Sequence, residues 1–137
     1  FLDGWEDRYK YLIELGGQLP RFSDEQKKDE WKVPGCQSQV WIIPHYSENG
    51  ISFEGDSDAI IVRGIIAVVL EIFKDKSAQE ILDIDVEEIF DKMGLREHIT
   101  PNRRSGMLSM VDKIKYYATQ ALKGQNEYSR ISGKKDF

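Results

Sequence analysis

Cysteine is almost absent from this chain: Cys36 is the only one in 137 residues. One thiol excludes an internal disulfide framework and any site built from several thiolates. Histidine is nearly as scarce. His45 and His98 stand apart, with no CxxC or HxxxH pair, so the close-spaced ligands of a structural zinc site are missing and no metal is expected. Long apolar runs are missing as well; the longest, Ala59 to Leu70, is interrupted by Arg63 and Gly64 and falls short of the roughly 20 residues that cross a bilayer. The opening segment Phe1-Leu2-Asp3-Gly4-Trp5-Glu6 lacks the basic start and apolar stretch of a secretory signal. Basic charge is in deficit, 19 basic against 24 acidic side chains, for a formal net charge of −5. Nucleic-acid backbones and anionic membranes both demand a basic face, so neither is expected as a partner. Phosphate-loop and dinucleotide signatures are also missing, because Gly16-Gly17 follows a helical pattern rather than a strand. A chain without disulfides suits a reducing, cytoplasmic compartment.

What is present reads as an ordinary soluble domain. The composition is 40% hydrophobic and 31% charged, and a chain of this length buries about two thirds of its unfolded surface in one core without staples. Trp5, Tyr9, Leu12 and Ile13 recur on one helical face that stops at Gly16-Gly17. The polar, charged segment from Gln18 to Lys32 reads as a solvated connection. Gln39-Val40-Trp41-Ile42-Ile43 and the alternating Ile51, Phe53 and Gly55 predict two strands. Asn49-Gly50 between them is a hairpin signal that would set Tyr46 opposite Phe53. Trp31-Lys32-Val33 could add a third strand, with Pro34-Gly35-Cys36 as the turn into the sheet.

Asp56 and Ser57 are candidate N-caps for an apolar helix from Ala59 to Lys74, expected to be the buried centre of the fold. Ser77 with Glu80, and Asp85 with Glu88, predict two capping boxes that open further helices, the second helix stopping at Gly94. The carboxylate pair Glu87-Glu88 falls in such a start and is read as capping rather than acid–base chemistry. Thr100-Pro101 opens a last helix whose apolar face carries Met107, Leu108, Val111, Ile114, Ala118 and Leu122. Beyond Gly124 the periodicity is lost. The expectation is an α+β fold, a small antiparallel sheet of two or three strands packed against about five helices, over residues 1–124, with 125–137 as a disordered tail.

Chemistry concentrates at Val33-Pro34-Gly35-Cys36-Gln37-Ser38-Gln39-Val40-Trp41. Proline and glycine before the cysteine make a turn that lifts its side chain out of the regular ladder, and glycine lets another backbone approach. An ordinary thiol is only about 3% ionised at pH 7 if its pKa is ~8.5. Cys36 is therefore either a nucleophile on a loop or a small buried hydrophobe, and the residues alone leave both open.

The string Gly35-Cys36-Gln37-Ser38-Gln39-Val40-Trp41, followed by Gly55-Asp56-Ser57-Asp58-Ala59 and an apolar helix containing Gly64, resembles the SufE family of sulfur-acceptor proteins and its CsdE relatives. Leu95-Arg96-Glu97-His98-Ile99-Thr100-Pro101-Asn102-Arg103 is similar to that family's segment before its last helix. The blocks run in order over about residues 4 to 122. The resemblance implies an α+β fold like that of the IscU scaffold proteins but without their cluster ligands, and no cofactor or metal of its own. It also implies two partners: a pyridoxal-phosphate-dependent cysteine desulfurase of the SufS/CsdA type, and an iron–sulfur scaffold complex of the SufBCD type. Sulfur would pass from the desulfurase to Cys36 as a persulfide and onward to the scaffold, so the chain would activate the desulfurase without independent turnover.

The same resemblance assigns Gly35, Gln37, Ser38 and Gln39 to the cysteine loop, Asp58 to its support and Arg103 to partner contact. Gln37, Ser38 and Gln39 also read as strand-entry residues and Arg103 as a solvated residue near a helix start, while capping accounts for Asp56 or Ser57. A sulfane sulfur is labile, so Cys36 is expected to rest sheltered against Trp41 or the central helix and to swing out on docking. A thiol enzyme using Cys36 with His45 or His98 as base, and an adaptor that accepts no sulfur, are the alternatives.

Overall fold

The computed structural model describes the backbone at residues 5–47, 50–94 and 99–135, and side chains at 7, 10–47, 50–94 and 99–124. Helix α1 (Trp5–Gln18) is followed by a short 3₁₀ turn (Asp29–Trp31), the strands β1 (Val40–Ser47) and β2 (Gly50–Ser57), and then helices α2 (Ile60–Phe73), α3 (Ala78–Asp83), α4 (Val86–Lys92) and α5 (Pro101–Lys135). The α+β architecture is as expected, with a sheet of two antiparallel strands. The third strand is reduced to a single bridge between Lys32 and Trp41, supported by Val33 N–H donating to the Val40 carbonyl at 2.8 Å. Pro34, which has no N–H to donate, ends the pairing there.

Helix α2 is the centre of the molecule. Ile65, Ile66, Val69 and Phe73 are almost fully buried on it, each stabilising the fold by ~1.5–3 kcal/mol. It packs on α1 and on β2, while α5 covers α3 and the sheet. Its crossing with α1 is a backbone contact. A Cβ built on Gly64 would lie 2.2 Å from the Leu12 carbonyl oxygen, and one on Gly16 would lie 2.6 Å from the Gly64 nitrogen. Gly16 is therefore a packing residue inside α1 rather than its stop. Leu12 is buried as predicted, but Ile13 is exposed, because the face turns toward Gly16 and Leu19 instead.

Three expectations change in detail. The hairpin pairs Tyr46 with Ile51 and Pro44 with Phe53, so Phe53 does not face Tyr46 and instead meets the Tyr117 ring, centroids 6.3 Å apart. Ser47 pairs with Gly50, so Gly50 belongs to β2 rather than to the loop; Asn49 lies outside the described residues. Asp56 and Ser57 lie in β2, and α2 begins at Ile60 with Ala59 at its N-cap position. Helix α5 continues to Lys135 rather than stopping at Gly124; one glycine costs a helix only about 1 kcal/mol, and no proline follows to end it.

Helices α3 and α4 start where predicted, α3 with the full capping box and α4 with its Asp85 half. Ser77 Oγ accepts from Glu80 N–H while Glu80 Oε1 accepts from Ser77 N–H, and Asp85 Oδ1 accepts from Glu88 N–H. The connection from Gln18 to Lys32 is not wholly solvated. Phe22 is 6% exposed and its N–H donates to Asp56 Oδ2 at 2.9 Å. Among the described residues no helix is long and apolar enough to cross a membrane.

Candidate functional site

Cys36 follows Gly35, which has φ +80°, a left-handed conformation that glycine adopts without strain. That turn carries the chain off the Lys32–Trp41 bridge and lays Cys36 against the first turns of α5. The thiol is half-buried and donates to the Gly106 carbonyl at an Sγ···O distance of 3.7 Å. A cleft of about 140 Å³ opens beside it. Ile61, Val62 and Ile65 of α2 and Met110 of α5 form its apolar walls, and Gln37, Ser38, Asn102 and Arg103 contribute the polar ones.

Three of the other sequence-predicted residues join Cys36 at this cleft. Gln37 and Ser38 line it with Cys36, and Arg103 borders it from α5, where its own N–H is capped by Thr100 Oγ1 at 3.3 Å. Gln39 and Asp58 do not line it but hold one end of the loop. Asp58 Oδ1 accepts from Gln39 N–H at 3.0 Å, and Asp58 N–H donates to the Gln39 carbonyl at 3.3 Å. Gly35 closes the other end, a Cβ there lying 3.2 Å from Ser109 Oγ. Trp41 takes no part in the shelter; it is buried in β1 with the Lys27 ammonium 5.6 Å from its ring centroid. The central helix and α5 supply the walls instead.

Burial pushes the Cys36 thiol up from its ordinary value, since a half-dry apolar setting penalises the thiolate. Its hydrogen-bond partner is a carbonyl oxygen, which stabilises the S–H form. His45 is exposed on β1 and paired with Glu54, away from the cleft, and His98 lies outside the described residues. No group of three or more His, Cys, Asp or Glu converges as a metal site among the described residues.

Three contributors were not foreseen from sequence. Gly106 receives the thiol, Asn102 lines the cleft, and Arg63 anchors the surroundings by pairing with Asp56 at 2.9 Å and donating to the Leu19 carbonyl at 2.7 Å. Gly106 carried a signal as an isolated glycine inside an apolar helical pattern, and Arg63 as a charge inside an apolar run.

Fold and site together define an α+β domain that presents one sheltered thiol on a glycine-hinged loop. Comparison with known proteins makes the class specific. Residues 1–118 match the family model SufE, described as an Fe-S metabolism associated domain. The chain is 53% identical over 119 residues to an uncharacterized SufE-like protein of Rhizobium etli, covering 84% of this chain and 80% of that one. It is 50% identical over 119 residues to another from Rhizobium meliloti, covering 84% and 85%. A solution structure of a hypothetical protein from Thermus thermophilus superposes with a TM-score of 0.73 over 88% of each chain at 18% identity, a likeness of fold alone. The chain belongs to the SufE family, and its role lies in iron–sulfur metabolism.

Proposed function

We propose that this protein accepts sulfur from a pyridoxal-phosphate-dependent cysteine desulfurase onto Cys36 and passes it to an iron–sulfur scaffold complex. The observation that carries it is the placement of the family's Gly-Cys-Gln-Ser-Gln block: the lone thiol sits on a loop over an apolar cleft bordered by Arg103. In the transfer, the Cys36 thiolate attacks the outer sulfur of the desulfurase persulfide. A new S–S bond forms to Cys36, the donor's S–S bond breaks, and the donor cysteine leaves as thiolate, free for another turnover. No second thiol lies in the chain to discharge the product as an internal disulfide.

The raised thiol fits a carrier that is quiet when free and activated on docking, when the loop leaves the Gly106 carbonyl and Cys36 meets the partner's cations or amide donors. Arg103 and the exposed Gln37 would face that partner, and a single free thiol suits the reducing cytoplasm. A thiol enzyme finds no support at His45, which is engaged with Glu54.

Intact-protein mass spectrometry after mixing the chain with a desulfurase and free cysteine tests the proposal. The wild type is expected to gain one reducible sulfur atom and Cys36→Ser none. Absence of the gain while the desulfurase itself is persulfidated rejects the carrier. Stimulation of desulfurase turnover by Cys36→Ser as strong as by wild type would make the chain an adaptor.

A further inference from the structure

We propose that Gly106 is a positioning residue for Cys36: its carbonyl and its small size make the seat in which the thiol rests, so residue 106 sets how firmly the thiol is withheld before docking. Its consequence for sulfur transfer rests on the carrier function proposed above. The seat itself is a property of the free protein.

A glycine inside the first turns of a long helix weakens that helix relative to alanine, and local propensity offers no reason for one here. Its surroundings limit how large the residue can be. Gly106 is buried, and a Cβ built on it would lie 3.5 Å from Cys36 Sγ and 4.0 Å from Cys36 Cβ, its nearest neighbours. Those are ordinary contact distances, so one methyl group fits. A longer side chain extends at least one further bond of about 1.5 Å from that Cβ, toward the thiol or into the cleft that Gly106, Cys36 and Met110 line together, and so competes with Cys36 for its seat. The Gly106 carbonyl meanwhile accepts the thiol proton, so the residue offers both the space and the polar contact. Gly35, with its own Cβ position 3.2 Å from Ser109 Oγ, lets the loop approach the same helix one turn further on. Loop and helix thus meet through a glycine on each side.

The test compares wild type, Gly106→Ala and Gly106→Leu as free protein, reading the rate of Cys36 alkylation by iodoacetamide across pH. Alanine is expected to stay within about twofold of wild type, and leucine to react about tenfold faster at pH 7, because thiol reactivity follows access and ionisation. The pH midpoint of the leucine variant should also fall toward that of an exposed thiol while its urea midpoint stays at the wild-type value, which separates a displaced thiol from alkylation through an unfolded fraction. A folded Gly106→Leu that keeps the wild-type rate and midpoint overturns the proposal. Should Gly106→Leu fail to fold, the pair Gly106→Leu/Cys36→Gly decides: recovery of the fold places the clash at Cys36, and continued unfolding overturns the seat. Sulfur loading of the wild type is scored separately by mass spectrometry. A seat without loading therefore rejects the carrier while leaving Gly106 in its role.

Discussion

Burial pushes the Cys36 thiol up, whereas persulfide chemistry runs through the thiolate. At pH 7 the ionised fraction is thus below the roughly 3% of an ordinary thiol. The free protein is expected to alkylate more slowly at Cys36 than its urea-unfolded form at the same pH, and a rate equal to the unfolded one would show the thiol to be unshielded. Linkage fixes the sign for stability. Because the folded value lies above the unfolded one, the stabilisation is intact below about pH 8.5 and is lost as pH rises toward the folded value. Urea midpoints between pH 7 and 10 should therefore fall further for wild type than for Cys36→Ala, and equal falls would place the alkaline loss elsewhere. At this scale the sequence shows the one thiol of the chain. It does not show Gly106, because the partner lies 70 positions away along the chain.

The elements around the site are joined by short polar clamps. Asp58, between β2 and α2, exchanges two hydrogen bonds with Gln39 at the entrance to β1, fixing one end of the cysteine loop to the sheet. Asp58→Ala is expected to cost roughly 0.5–1.5 kcal/mol and to raise the alkylation rate of Cys36. An unchanged rate would show that the clamp does not restrain the loop. Helix starts were legible because the Ser77–Glu80 cap is written within four residues and needs no tertiary partner. Hairpin register was not. A two-residue slip keeps every side chain on its own face, so the alternation that predicts the strands cannot separate the Tyr46–Phe53 pairing from the observed Tyr46–Ile51.

Across the whole molecule, the buried Asp56–Arg63 pair holds three parts of the chain together. The Arg63 guanidinium reaches Asp56 Oδ1 at 2.9 Å and the Leu19 carbonyl at 2.7 Å, and Asp56 Oδ2 accepts from Phe22 N–H. The segment after α1 is thereby tied to β2 and α2. Removing one partner of a buried pair leaves an uncompensated charge, so Arg63→Ala is expected to lose about 3–5 kcal/mol. That is a large part of the roughly 5–15 kcal/mol that a domain of this kind holds. Urea denaturation measures it, and a loss under about 1 kcal/mol would mean that water replaces the guanidinium.

The sequence by itself determined the order of elements, the buried character of α2, the absence of disulfides and the identity of the single thiol. All of these follow from local patterns or from composition. The shelter of that thiol was decided only in three dimensions. Cys36, Ile65 and Arg103 share one cleft because α5 folds back across α2 and the cysteine loop. Arg63, which interrupts an apolar run in the sequence, becomes a buried anchor because the fold brings Asp56 and the Leu19 carbonyl to it. Periodicity assigns a residue to a face of its own element. Which backbone that face meets depends on contacts between segments far apart in the chain, and no local pattern encodes them.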